Sequence, residues 1–194
     1  MSPANCMGEM PRYPRTMQFT EVLTTFAEFF EREEIRWAIA GGLAVGAWGF
    51  QRYTDDIDFV VAGSERKRVV AFAESLGYET THASEGFSNH IHPTEDFGHV
   101  DVLYLYDRTE TELFTAATSR VVLPGLAALV ISPEHIAMMK AAAIRDRPER
   151  SFGDARDVEY LLTLPTIDRE RVRAYFERMG LLRIFDAIDH QQKR

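Results

Sequence analysis

The 194-residue chain contains a single cysteine, Cys6, so it offers neither a disulfide framework nor a cysteine-based metal site. No apolar run is long enough to cross a bilayer, and the polar, proline-containing start over residues 1–15 lacks the apolar core of a signal peptide. The sequence also has no internal repeat, no low-complexity segment and no Gly-x-Ser-x-Gly elbow for a serine nucleophile. These absences predict a cytoplasmic protein that is neither a disulfide scaffold, a membrane-spanning protein nor an α/β-hydrolase.

The formal net charge of −8 is unevenly distributed along the chain. Residues 1–139 hold 10 Lys and Arg against 20 Asp and Glu, whereas residues 140–194 hold 12 against 10. Two groups of arginines contribute to this basic surplus: Arg145, Arg147 and Arg150, and Arg169, Arg171 and Arg173. Two explanations fit this distribution. In one, the charged residues simply cover solvent-exposed helix faces; in the other, residues 1–139 bind metal while residues 140–194 form a basic patch that binds an anionic acceptor.

The most informative motif is a strand-like run that carries two carboxylates, Asp56 and Asp58. Apolar residues alternate with them, and side chains two apart on a strand point to the same face, so the carboxylates project side by side. Like charges this close raise one another's pKa, and a divalent cation keeps both ionised. The pattern predicts a metal site, with Asp55 on the other face as a capping or orienting group. An exposed edge strand is the structural alternative.

A pair of glycines precedes this run. The short apolar segment that begins at Trp37 breaks at Gly41 and Gly42 and continues into a helix of small residues. Glycines at a strand-to-helix turn let backbone amides approach a phosphate closely, and the helix N-terminus adds a favourable dipole. The Gly-Gly turn and the Asp-x-Asp strand therefore combine a phosphate cradle with the metal that phosphates need.

These two motifs resemble the nucleotidyltransferase superfamily with the DNA polymerase β-like fold, and in particular its minimal, AbiEii-type bacterial branch. Three further stretches extend the resemblance: the alternating run His99–Leu105 with its Asp101, the helix start Ser132-Pro133-Glu134 followed by Lys140, and the pair Asp154 and Asp157. The similar region covers roughly residues 36–164. Many members carry Ser after the first glycine of the turn, whereas Gly42 leaves only backbone donors for a phosphate.

The resemblance implies a metal-dependent enzyme that transfers a nucleoside monophosphate from a nucleoside triphosphate (NTP) to a hydroxyl group. The implied ligands of Mg²⁺ or Mn²⁺ are the catalytic carboxylates Asp56, Asp58 and Asp101, of which Asp101 could also accept the proton of the attacking hydroxyl. The implied nucleotide-binding residues are Gly41, Gly42, Arg52 and Lys140. The alternative is a nucleotide-binding regulatory or interaction module of the same fold without transfer activity.

Several of these residues also have simpler explanations. Lys140 could be an ordinary exposed helix lysine, and Arg52 could pair with the neighbouring Asp55 instead of a phosphate. Asp154 and Asp157 lie three residues apart on one helix face near Arg150, so a salt-bridge network is as consistent with them as contact with the active site or the base.

The sequence alone leaves several candidates for the acceptor of the transfer reaction. Members of the superfamily modify tRNA ends, protein side chains or antibiotic hydroxyls, and the segment from the Gly-Gly turn to the Asp-x-Asp strand also resembles that of lincosamide nucleotidyltransferases. AbiEii-type members often act as toxins with an antitoxin partner. The basic surplus of residues 140–194 modestly favours tRNA, although the overall charge of −8 opposes tight non-specific binding.

The histidines allow a competing interpretation. His90 and His92 share a strand face, as do His99 and Asp101, so a hairpin could bring them together as a transition-metal site, for instance in a hydrolase. Their spacing matches no closed zinc pattern.

The predicted fold class is α/β (α+β), a short mixed sheet flanked by helices with a C-terminal helical part. We expect a disordered tail over 1–16, a nucleotidyltransferase core over 17–131 and helices over 132–194. An amphipathic helix over 17–34 should cover the sheet, and Phe87–His92 and His99–Tyr106 should form two antiparallel strands. Ser132 followed by Pro133 predicts a capped helix start.

Overall fold

The computed structural model describes residues 18–50, 52–54 and 56–191. The tail predicted over 1–16, with Cys6, and the capping role predicted for Asp55 lie outside these residues. Within the described part, seven strands form one mixed sheet and helices flank it. The predicted fold class is therefore confirmed, whereas the division into a core and a C-terminal helical part at residue 131 stays a prediction.

The elements of the described residues follow one another in an α+β order. The strands are β1 (Trp37–Ile39), β2 (Asp56–Ala62), β3 (Glu79–Ala83), β4 (Phe87–Ile91), β5 (His99–Leu105), β6 (Thr118–Leu123) and β7 (Leu126–Val130). The α-helices are α1 (Phe19–Arg32), α2 (Gly41–Ala47), α3 (Arg66–Ser75), α4 (Asp107–Ala116), α5 (Pro133–Asp146), α6 (Ser151–Leu161), α7 (Arg169–Arg178) and α8 (Leu182–Gln191). None of these helices is long and apolar enough for a membrane span.

Strand β2, which carries the Asp-x-Asp motif, lies in the middle of the sheet. The strand order is β3-β4-β5-β2-β1-β7-β6, with β2 antiparallel to β1 and parallel to β5. In the register between β2 and β5, Asp58 lies opposite Asp101. The edge-strand alternative for Asp56 and Asp58 is therefore wrong.

The two faces of β2 differ in chemistry because side chains alternate along a strand. On one face, Ile57 and Phe59 are 0% and 1% exposed. The Phe59 ring lies 5.4 Å from the ring of Phe26 and 5.2 Å from that of Phe30, both on α1. The aromatic face of α1 thus covers this side of the sheet, as its amphipathic pattern predicts, and the carboxylates of β2 are left on the other side.

Helix α5 begins where the sequence predicts a capped start. Ser132 accepts a hydrogen bond from the His135 amide at 3.4 Å, and Pro133 occupies the first helical turn. The four α-helices from α5 onward account for most of the described residues after Ser132. Helix α4, by contrast, was not predicted, because Leu113 is its only buried residue and its apolar periodicity is weak.

Replacing Phe59 with Ala should lower the free energy of unfolding by about 3–5 kcal/mol, because it opens a cavity in the aromatic core. Phe152→Ala is the matched control, since that residue is 78% exposed on α6, and it should change the unfolding free energy by less than about 0.5 kcal/mol. Urea unfolding of both variants measures the difference. Equal losses would contradict the placement of Phe59 at the centre of the core.

Candidate active site

The residues predicted from sequence to bind metal and nucleotide line one cavity. Its volume is about 470 Å³. All seven predicted residues contribute to its wall: Gly41, Gly42, Arg52, Asp56, Asp58, Asp101 and Lys140. They come from α2, the segment before β2, β2 itself, β5 and α5. The fold thus brings together side chains that lie almost 100 positions apart in the sequence.

The carboxylate of Asp58 lies directly against the Gly-Gly turn. Gly41 adopts a left-handed φ of +56°, and a Cβ atom there would fall 1.8 Å from Oδ2 of Asp58. The backbone amide of Gly42 donates a hydrogen bond to the same carboxylate. The Ala40 amide also bonds the Asp58 carbonyl oxygen at 2.9 Å. In this arrangement the turn holds a carboxylate, so only glycine fits at position 41.

Gly42 faces a different side of the cavity wall. A Cβ atom at this position would lie 2.7 Å from Oγ1 of Thr54 and 3.0 Å from Nη2 of Arg52. A serine there, as many superfamily members have, would collide with Thr54 in this arrangement. Thr54 therefore presents its hydroxyl next to the space that a side chain at position 42 would occupy.

Asp58 and Asp101 form a pair of neighbouring carboxylates on parallel strands. Burial, followed by the charge of Asp101, raises the pKa of Asp58 to about 6, while the nearby Lys140 opposes this rise. Burial also raises the pKa of Asp101, and the Asn89 amide, which donates a 2.6 Å hydrogen bond to its Oδ1, opposes that rise. A nearby cation stabilises the ionised form of two such neighbouring carboxylates, whose pKa values are both raised.

Asp56 lies at the more exposed end of the motif. Its side chain is 47% exposed, and its Oδ1 lies 3.3 Å from Nδ1 of His99, the residue opposite it on β5. Among the described residues, no three side chains of His, Cys, Asp or Glu converge closely enough to hold a metal ion by themselves. The three predicted ligands thus share a cavity without forming a closed cage.

The donor set nevertheless fits Mg²⁺ or Mn²⁺. All three predicted ligands are carboxylates, and hard divalent cations prefer oxygen donors. Mg²⁺ in nucleotide-binding sites usually takes only one or two carboxylates and completes its shell with phosphate oxygens and water. Asp58 and Asp101, adjacent in register and of raised pKa, meet that requirement without a third protein ligand.

A buried ion-pair network forms the wall opposite the carboxylates. Asp157, which is 1% exposed, lies 2.9 Å from Nε of Arg52 and 3.0 Å from Nζ of Lys140. Lys140 also donates a 2.7 Å hydrogen bond to Asp154. The salt-bridge interpretation of Asp154 and Asp157 is thereby confirmed, with Lys140 and Arg52 as the described cationic partners.

Lys140 remains charged in this setting. Its side chain is 14% exposed, and burial alone would lower the pKa of its ammonium group. Asp157 and Asp154 outweigh this effect and raise the pKa above its ordinary value. The interpretation of Lys140 as an exposed helix lysine is therefore wrong. Whether it also contacts a triphosphate stays a prediction.

The transition-metal interpretation of the histidines is also wrong. His90 is fully buried, and its ring contacts Ser88 at 2.8 Å and Thr80 at 3.2 Å. It lies opposite Val100 in the β4–β5 register, whereas Asn89 lies opposite Asp101 and bonds it. Because successive side chains point to opposite faces, His90 is directed away from the cavity that Asp101 lines.

Four residues have roles in or beside the cavity that the sequence analysis did not predict. Phe87 and Arg147 line the cavity, Asn89 supports Asp101, and Asp157 holds Arg52 and Lys140. The register of the predicted β4–β5 hairpin could have placed Asn89 beside Asp101. No local signal distinguishes Arg147 from its neighbour Arg145, which pairs with Asp146 at 2.8 Å and does not line the cavity.

Three solved structures share this architecture. The antibiotic-resistance factor ANT(2'')-Ia in solution aligns with a TM-score of 0.66 at 17% identity, over 91% of this chain and 99% of that one. The lincosamide antibiotic adenylyltransferase LnuA, bound to lincomycin, gives 0.55 at 15% identity, over 77% and 99% of the two chains. ANT(2'')-Ia in complex with adenylyl-2''-tobramycin gives 0.53 at 18% identity, over 89% and 99%.

No protein-family model matches the sequence, and no curated protein matches it in sequence comparison. The structural likeness is at low identity and covers almost the whole of each known chain. The protein therefore has the nucleotidyltransferase fold.

In metal-free buffer, Asp58→Asn should stabilise the protein at pH 7.5. The folded-state pKa of about 6 lies above the ordinary aspartate value of 3.8, so stability falls as the pH rises from about 4 to 6, and ionised Asp58 costs up to about 3 kcal/mol. The amide removes this cost. Thermal unfolding in EDTA should show a higher melting temperature than the parent at pH 7.5, and the gap should narrow at pH 5. A constant gap would contradict the raised pKa.

Lys140→Met should weaken binding of a non-hydrolysable NTP by about 1.5–3 kcal/mol if Lys140 contacts the triphosphate. The change also leaves Asp154 and Asp157 with less compensating charge, so the double variant Lys140→Met/Asp154→Asn serves as the matched control. Calorimetry with Mg²⁺ should show the same loss of affinity in both variants. Recovery of affinity in the double variant would mean that Lys140 acts only through the ion-pair network.

Proposed function

We propose that this protein is a metal-dependent nucleotidyltransferase that transfers a nucleoside monophosphate from an NTP to a hydroxyl acceptor. The observation that carries the proposal is the convergence of all seven predicted residues on one cavity. Two adjacent carboxylates, a glycine turn and a buried ion-pair network that contains Arg52 and Lys140 meet there. These groups suit phosphoryl transfer, in which the protein mainly positions the substrates and neutralises charge. The fold shared with nucleotidyltransferases agrees with this proposal.

The chain's own residues have distinct tasks in this reaction. Gly41 and Gly42 hold Asp58 at the mouth of the turn, so its carboxylate is oriented before substrate arrives. Lys140 and Arg52, fixed by Asp157, supply positive charge toward the triphosphate. Asp58, Asp101 and Asp56 would hold Mg²⁺ or Mn²⁺, which when bound would supply neutralisation of the phosphate charge.

The transfer is an in-line displacement at the α-phosphorus. The acceptor oxygen forms a bond to that phosphorus while the bond from phosphorus to the α,β-bridging oxygen breaks and pyrophosphate leaves. Asp101 accepts the proton of the acceptor hydroxyl, since its Oδ2 is free of the hydrogen bond that Asn89 donates to Oδ1. Little covalent chemistry is required of the protein.

The acceptor class has several candidates. The similar structures are of an antibiotic-resistance factor, seen with adenylyl-2''-tobramycin, and of a lincosamide antibiotic adenylyltransferase, seen with lincomycin, which supports a small-molecule hydroxyl. The charge partition supports tRNA, and a toxin of the AbiEii type with an antitoxin partner remains a prediction of the sequence resemblance. A protein side chain is a further candidate.

A nucleotide-binding module without transfer is the second candidate. It is favoured by the existing contacts of the site, where His99 pairs with Asp56, Asn89 bonds Asp101, and the Lys140 cluster is already balanced in charge. Such a protein would bind NTP and leave it unchanged. The two candidates differ in turnover and not in binding.

Incubation of the protein with each α-labelled NTP, Mg²⁺ and a cell extract should transfer label to one class of acceptor. Asp58→Asn should lower this transfer at least about 100-fold, because an amide cannot replace the charge of a metal-binding carboxylate. Gel electrophoresis resolves labelled macromolecules, and thin-layer chromatography resolves labelled small molecules.

Asp186→Asn is the matched control, because this carboxylate lies on α8 outside the cavity. It should transfer label at the parent rate. Near-parent activity of Asp58→Asn would contradict the metal assignment. NTP binding without any transfer by the parent would support the regulatory module instead.

A further inference from the structure

The Gly-Gly turn already uses its backbone to hold Asp58. The Gly42 amide donates a hydrogen bond to the Asp58 carboxylate, and a Cβ atom at Gly41 would overlap Oδ2 of the same side chain. Each residue has only one backbone N–H group, so an amide that is bonded to a carboxylate has no hydrogen left for a phosphate oxygen. A phosphate that binds beside this turn therefore needs donors from another part of the chain.

Gly42 is needed for its small size and not for its backbone conformation. It lies inside α2, and its φ is not in the left-handed region, unlike that of Gly41. A Cβ atom at Gly42 would lie 2.7 Å from Oγ1 of Thr54, 2.9 Å from Cβ of Thr54 and 3.0 Å from Nη2 of Arg52. These distances are too short for van der Waals contact. Thr54 and Arg52 thus occupy the space that any side chain at position 42 would take.

Two donors converge on this space beside Gly42. Nε of Arg52 lies 2.9 Å from the buried Asp157, which fixes the guanidinium group, and Nη2 is the atom directed at Gly42. The Thr54 hydroxyl reaches the same place from the segment before β2. Both side chains line the cavity that also contains Asp58. A guanidinium and a hydroxyl group that meet at one place are suited to a phosphate oxygen, because it can accept from both.

The hydrogen bond that the Thr54 hydroxyl makes in this structure is long. Its Oγ1 donates to the Asp56 carbonyl oxygen at 3.3 Å, whereas O–H···O bonds in proteins usually measure about 2.7–2.8 Å. A hydroxyl group rotates about its C–O bond, so its hydrogen can turn to another acceptor. A charged phosphate oxygen is a stronger acceptor than a neutral carbonyl oxygen. Exchange of the carbonyl for a phosphate is therefore favourable.

We propose that the Thr54 hydroxyl binds a phosphate oxygen of the nucleoside triphosphate, together with Nη2 of Arg52. This inference rests on the proposed function, in which an NTP is the donor. Thr54 then contacts the substrate, and position 42 is glycine because the threonine hydroxyl takes the place of a side chain there. The turn holds the metal-binding carboxylate of Asp58, and the segment before β2 holds the phosphate.

The test compares Thr54→Val, which keeps the shape of the side chain and removes its hydroxyl, with Thr54→Ser, which keeps the hydroxyl. Thr111→Val is the matched control, because Oγ1 of Thr111 donates to the Asp107 carbonyl oxygen at 3.2 Å on α4, away from the cavity. Titration calorimetry measures the Kd of the non-hydrolysable analogues of ATP, GTP, CTP and UTP, and of the four matching nucleosides.

Thr54→Val should raise the Kd of the NTP analogue that the parent binds at least about tenfold, because a hydrogen bond to a charged group is lost. Thr54→Ser and Thr111→Val should stay within about twofold of the parent, and so should binding of the matching nucleoside in every variant. An unchanged Kd in Thr54→Val, or an equal loss for the analogue and its nucleoside, would overturn the proposal.

An exchange of the two positions tests whether Thr54 and a side chain at position 42 share one space. Gly42→Ser should weaken binding of the NTP analogue, because the new Cβ meets Thr54, and Thr54→Gly should weaken it because the hydroxyl is lost. The double variant Gly42→Ser/Thr54→Gly should bind more tightly than either single variant, since the serine hydroxyl enters the vacated space. A double variant that binds no better than Thr54→Gly would contradict the proposal.

Metal dependence separates a direct phosphate contact from an effect through Asp56. Thr54 bonds the backbone of Asp56, a predicted metal ligand, so loss of the hydroxyl could instead displace that carboxylate. A direct contact predicts the same fold-loss of NTP-analogue affinity for Thr54→Val in EDTA and in Mg²⁺. A loss that occurs only with Mg²⁺ would mean that Thr54 acts through Asp56, and the proposed contact would be wrong.

The failures of the two proposals are distinguishable. If the parent transfers no label to any acceptor but Thr54→Val weakens binding of the NTP analogue alone, the phosphate contact stands and the transfer reaction is wrong. If the parent transfers label and Thr54→Val binds the analogue as the parent does, the reaction stands and the inference about Thr54 is wrong.

Discussion

The close approach of the Asp58 carboxylate to the Gly-Gly turn is the constraint on which the site depends. A side chain at position 41 would overlap Oδ2 of Asp58, and the Gly42 amide donates a hydrogen bond to this carboxylate. The turn therefore joins the end of β1 to the central strand at one point. With Asp58 fixed there, the parallel register of β2 and β5 places Asp101 beside it, and the cavity forms over this pair.

Charge balance explains why the buried cations are arranged as they are. A lysine and an arginine near the sheet would be unfavourable without partners, and the buried Asp157 contacts both. For Asp58 on β2 and Asp101 on β5, nearby groups such as Lys140 and Asn89 offset burial and mutual repulsion only in part, so the pKa values of both carboxylates are raised. The cavity thus has one wall of paired charges and one wall of carboxylates. This asymmetry agrees with the proposed site for a metal-bound triphosphate.

Local sequence patterns predicted the helices and strands that surround the site. They did not predict features that depend on packing between distant segments. The alternation around Asp58 predicted a strand with two carboxylates on one face, and Ser132-Pro133 predicted the start of α5. Helix α4 was not predicted, because it buries only Leu113 and therefore has little apolar periodicity. The transition-metal interpretation combined His90 and His92 on one strand face with His99 and Asp101 on the next strand of a hairpin, yet the register of β4 and β5 places His90 on the buried face, away from Asp101.

The sequence by itself determined which chemistry the chain carries: two carboxylates at strand spacing, glycines at a strand-to-helix turn, and a capped helix that bears a lysine. These features depend on neighbours within a few positions, where periodicity and turn geometry are decisive. Only the tertiary structure decided which charges meet. Lys140 faces Asp154 and Asp157, and Arg147 enters the cavity while Arg145 does not, because the packing of α5 against α6 and the sheet selects these partners. Such contacts join distant segments, and no local spacing encodes them.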